Sequence, residues 1–60
     1  MDKLNQYTLI GTYEGGEPYI EWIEARTEGQ ALKIAFNGGP EGNEAIPYQI
    51  SAIMLVSDQG

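Results

Sequence analysis

The pair Gly15-Gly16 stands between two strand-forming runs, and no other feature restricts the fold as much. Residues 6–13 carry Tyr7, Thr8, Ile10, Thr12 and Tyr13; residues 19–25 carry Tyr19, Ile20, Trp22 and Ile23. Aromatic and β-branched side chains of this kind favour a pleated, half-buried surface. A Gly-Gly pair supplies the positive φ that a tight hairpin turn needs, so the two runs read as a β-hairpin. Tyr19, Trp22, Ile23 and Arg26 also fit helical spacing. The next four residues, Thr27-Glu28-Gly29-Gln30, decide against it, because they have the form of a capping box. A helix that starts at Thr27 cannot also run through it.

A two-residue loop at Gly15-Gly16 predicts that Leu9 faces Trp22, Gly11 faces Ile20 and Ile10 faces Glu21. One face then holds Tyr7, Leu9, Gly11, Tyr13, Ile20 and Trp22, and is assigned to the core. The other holds Thr8, Ile10, Thr12, Tyr19, Glu21 and Ile23. The first face is the more apolar of the two. Gly11 implies a bend or a close packing contact inside the first strand. Pro18 has no N–H to give to a ladder, which puts the second strand at an edge.

The helix is expected over about 28–36, with Ala31, Leu32, Ile34, Ala35 and Phe36 on its buried arc. Asn37-Gly38-Gly39-Pro40 ends it: glycine accepts the left-handed cap and proline bars continuation. Residues 37–47 form a Gly-, Pro- and Asn-rich connection. The last strand runs from Tyr48 to about Ser57. Strict alternation puts Ile50, Ala52, Met54 and Val56 on one face and Ile53 and Leu55 on the other. Asp58-Gln59-Gly60 reads as a polar tail. The fold class is α+β, in the order β-β-α-β. It is a single domain over residues 1–60, with a three-stranded antiparallel sheet in the order 2-1-3 and one helix on one face.

Composition narrows the function. The chain has 60 residues, three basic and nine acidic, and a net charge of −6, with no histidine and no cysteine. There is no disulfide, thiolate or imidazole chemistry to build on, and no cofactor is implied. Three scattered cations cannot neutralise a phosphate track, so neither nucleic acid nor an anionic membrane is expected as a partner. No apolar run marks a leader or a membrane span, and the default reading is cytoplasmic. Hydroxyls, carboxylates and lysines at these spacings make no nucleophile–base pair, so an enzyme is not expected. Asn37, Glu41, Asn43 and Glu44 offer hard oxygen ligands, but not at the spacing of a calcium loop.

Two surfaces remain. Glu14, Glu17, Glu21, Glu24 and Glu28 recur every three or four residues. They read either as solvated charges or as a row of carboxylates for a protein with a basic surface. The face opposite the helix would show Ile10, Tyr19, Ile23, Ile53 and Leu55, an apolar patch of the kind that marks an interaction surface. The candidate partner-binding residues are therefore Glu17, Tyr19, Glu21, Ile23, Glu24, Glu28, Ile53 and Leu55. A chain this short buries only roughly 60% of its unfolded surface, so a second copy forming a homodimer is the other expected partner.

In size, acidity and β-β-α-β order the chain resembles the small acidic proteins of phages and mobile elements that block host defence enzymes, among them inhibitors of restriction systems and CRISPR effectors. The resemblance implies a stoichiometric inhibitor and transfers no site residue. The alternative is a structural homo-oligomer, or a small subunit of a larger assembly.

Overall fold

The computed structural model describes residues 3–58. Two strands, β1 (Asn5–Thr12) and β2 (Pro18–Ala25), are followed by α1 (Glu28–Ala35) and β3 (Gln49–Asp58). The sheet order is β2-β1-β3, with both neighbours of β1 antiparallel to it. This is the α+β architecture expected from the sequence, and Pro18 does open an edge strand. Asp58 closes β3 rather than beginning a tail; Gln59 and Gly60 lie outside the described residues.

The hairpin differs from expectation by one residue. Thr8 faces Trp22, Leu9 faces Glu21 and Ile10 faces Ile20. The cause is a three-residue loop. Gly16 N–H donates to Tyr13 O at 2.9 Å, Tyr13 N–H donates to Glu17 O at 2.8 Å, and Gly16 alone of the loop has positive φ, at 90°. This is a type I turn followed by a left-handed glycine, the usual three-residue hairpin connection. The added residue turns β2 over relative to β1. Tyr19, Ile23 and Ala25 therefore join Tyr7 and Leu9 in the core, whereas Trp22 is 64% exposed. Tyr13 packs edge-on against Tyr19, with ring centroids 5.4 Å apart, an arrangement that aromatic quadrupoles favour.

Helix α1 covers this face through its smallest residues. Ala31 and Ala35 are buried against the cluster of Tyr7, Leu9, Tyr19, Ile23 and Ala25. Methyl side chains let the helix backbone come close to the sheet. Phe36 follows the last helical residue and is exposed, not core as expected. At the N-terminus, Thr27 Oγ1 accepts from Gln30 N–H at 3.1 Å. Gln30 Oε1 reaches back to Arg26 N–H at 2.7 Å, one residue beyond the usual capping-box partner. At the C-terminus, Gly39 N–H donates to Ile34 O and Gly38 N–H to Ala35 O, with Gly38 at φ 96°. These are the paired bonds of a Schellman cap.

The third strand breaks strict alternation twice. Its register against β1 shifts between Ile10 and Gly11 and between Gln6 and Tyr7, which leaves Ser51 and Val56 without partners. The bulge at Ser51 rotates Ile50 onto the helix side, where it packs against the core with Ile53. Gly11 is the reason the strands can approach there: a Cβ on it would lie 1.9 Å from the Gln49 carbonyl oxygen.

Candidate functional site

Side chains alternate across a strand, so the register fixes what the uncovered face displays. Trp22, Thr8 and Met54 lie in one cross-strand row, and Ile20, Ile10 and Ala52 in the next. Glu24 and Gln6 flank them on one side, and Pro18, Thr12 and Gln49 on the other. The two edge strands carry the most exposed members: Trp22, Ile20 at 59% and Met54 at 48%. Ile10 and Thr8 on the central strand are half-buried between them. Directly opposed residues in adjacent strands lie about 5 Å apart, so the two rows form one contiguous apolar patch. α1 packs on the other face, over β2 and β1.

The eight sequence candidates do not converge on this face. Tyr19 and Ile23, expected there, are buried under α1 because β2 is turned over. Ile53 and Leu55 pair with Leu9 and Tyr7, which puts them on the helix side; Ile53 packs against the core and Leu55 stays 55% exposed. Glu21 also faces the helix side. Glu24 is on the open face, Glu17 lies in the hairpin, and Glu28 is exposed in the first turn of α1. The residues that make the patch, Trp22, Ile20 and Met54, were placed by the sequence in the core or left aside. Their placement follows from the loop: a three-residue connection closed by Tyr13 and Glu17 gives the observed faces.

A second polar feature sits on the helix side. The carboxyls of Glu21 and Glu44 lie close enough to interact electrostatically. Burial raises the Glu21 carboxyl above its ordinary 4.5, and the charge of Glu44 adds to the shift. Beside it, burial pushes the Tyr19 hydroxyl up to about 12, with Glu21, Tyr13 and Glu44 contributing. Two like charges brought near each other favour the protonated form of Glu21. A separate open groove of about 580 Å³ runs between α1, the loop after it and the edge strand β2, lined by Glu24, Gln30, Lys33, Asn37 and Glu41 among others. It contains neither Glu21 nor Glu44, so the carboxylate pair and the groove do not form one site. Among the described residues no three acidic side chains gather where a metal ion could sit, and no helix is long and apolar enough to cross a membrane.

No family model matches the chain, and no curated protein or solved structure matches it.

Proposed function

We propose that this chain is a non-enzymatic protein-binding module whose contact surface is the open face of the sheet. The observation that carries the reading is Trp22. It stands 64% exposed at the β2 edge of an apolar patch with Ile20, Ile10 and Met54, on the sheet face opposite α1. Tryptophan is the residue type most often found as an energetic anchor of protein interfaces. Glu24 shares the face with Trp22, which gives the patch an acidic rim on a chain of net charge −6. Such a rim steers association toward a partner with basic surroundings. A partner of that description includes enzymes that grip nucleic acid, and the finer form of the proposal is a stoichiometric inhibitor of such a host enzyme.

The test compares three immobilised forms in host extract: wild type, Trp22→Ala and Glu24→Lys. A genuine partner is retained by wild type and lost by Trp22→Ala, and Glu24→Lys weakens the salt dependence of its binding. Purified partner activity then falls with a one-to-one equivalence point. Identical protein sets on wild type and Trp22→Ala would overturn the assignment of the face.

A further inference from the structure

The free edge of β3 is a second long open surface, distinct from the partner face. Edge strands expose unpaired backbone donors and acceptors, and natural proteins protect them with charges, prolines or coverage. β3 has none of these along its centre. From Ala45 to Ser57 the sequence has no charged residue, and α1 lies over β2 and β1 instead. Leu55 on the helix side and Met54 on the open side are both about half exposed.

The sequence of this edge is close to symmetric. Around Met54 it reads Ser51-Ala52-Ile53-Met54-Leu55-Val56-Ser57, with Ile against Leu, Ala against Val and Ser against Ser at equal distances. A strand of this kind is its own antiparallel complement. We infer that two copies of the chain pair through β3 about a two-fold axis at Met54. Ile53 then lies opposite Leu55 of the second copy, both on the helix side, and Met54 lies opposite its own counterpart. Cross-strand pairs of this type are the unit of sheet stabilisation.

Charge does not bar a second copy here. A partner of the same chain brings the same net charge of −6, so self-pairing needs a contact without carboxylates. The other edge, β2, carries Glu21 and Glu24 and would set acid near acid. The bulges at Ser51 and Val56 end regular pairing on either side of the central segment, which limits the new ladder to a few residues. The contact is therefore smaller than the roughly 1,200 Å² at which standard interfaces begin, and the dimer depends on concentration. It makes one six-stranded sheet with both helices on the same side. Across five strand spacings the two β2 strands, and with them the two Trp22 patches, stand roughly 24 Å apart on one continuous face.

Sedimentation equilibrium from about 10 µM to 1 mM tests this, with Leu55→Glu and Trp22→Ala as variants, each checked for fold by circular dichroism. Wild type and Trp22→Ala are expected to reach a dimer with concentration. Leu55→Glu, which sets a carboxylate against Ile53 of the second copy, is expected to stay monomeric. Amide exchange in wild type should slow at Ile53–Leu55 as concentration rises. A wild type that is monomeric throughout overturns the inference. So does a dimer that survives Leu55→Glu but is lost in Trp22→Ala, which would place self-association on the open face.

Discussion

Ile20 and Ile23 lie three residues apart on β2, have the same side chain, and point to opposite faces. Truncating each to alanine therefore measures the register with side-chain chemistry held constant. Ile23 is 1% exposed and is among the largest fully buried side chains. Removing its outer carbons forfeits transfer free energy of about 0.8 kcal/mol per methylene, together with a cavity term, for about 4 kcal/mol in all. Ile20 is 59% exposed. It retains less than half of that transfer term and leaves no cavity, because solvent fills the gap, so its loss is about 1 kcal/mol. Any difference in strand propensity between isoleucine and alanine applies to both and cancels to first order. A chain of 60 residues has a total stability of roughly 3–9 kcal/mol, so Ile23→Ala removes a large part of it and Ile20→Ala little. Urea titrations followed by far-ultraviolet circular dichroism report both midpoints. Had the hairpin closed with a two-residue loop, the order of the two variants would reverse. An Ile20→Ala loss equal to or larger than the Ile23→Ala loss would refute the register and the location of the patch together.

Two further predictions follow from the same geometry. Gly11→Ala should destabilise by about 3 kcal/mol or more, because its Cβ would meet the Gln49 backbone at 1.9 Å and neither strand can yield without losing ladder bonds; a urea midpoint within error of wild type would contradict the close approach. The Glu21 carboxyl is raised in the folded state, so folded protein binds more protons than unfolded chain as pH rises above 4.5, and stability falls as pH rises through the raised value. Glu21→Gln should remove that component and gain on wild type between pH 4.5 and 7; a wild-type-minus-variant difference that is flat over this range would show that the fold does not raise the Glu21 carboxyl.

What was legible in the sequence is what local chemistry decides. Thr27 and Gln30 mark a helix start because their side chains can reach its unpaired N–H groups. Gly38, Gly39 and Pro40 mark its end because only glycine takes the left-handed cap without strain. Pro18 locates an edge because it cannot donate. From these the element order and sheet order follow. The faces of β2 were not legible, because its two alternating sets are nearly equal in apolar character: Tyr19, Ile23 and Ala25 against Ile20 and Trp22. Gly15-Gly16 accommodates loops of two residues and of three. The decision is made in tertiary structure, where Ala31 and Ala35 give α1 a shallow surface that seats over Tyr19 and Ile23. That Ile50 and Ile53 share the helix side was hidden for a related reason: alternation counts residues, and a bulge adds one without changing composition.

The three-residue hairpin loop has a consequence for how this protein can change over generations. Substitution alters a surface one side chain at a time. Here the identity of the displayed set depends on whether Glu14, Gly15 and Gly16 number three or two. Loss of a single codon in the loop would bring Trp22 and Ile20 to the helix side and send Tyr19 and Ile23 outward, with every residue of β2 unaltered. The loop sits at the tip of the hairpin, where insertion and deletion are best tolerated. A lineage carrying this hairpin can therefore exchange one recognition surface for another in a single genetic event, and length variation at the tip is the place to look for divergence in what its members bind.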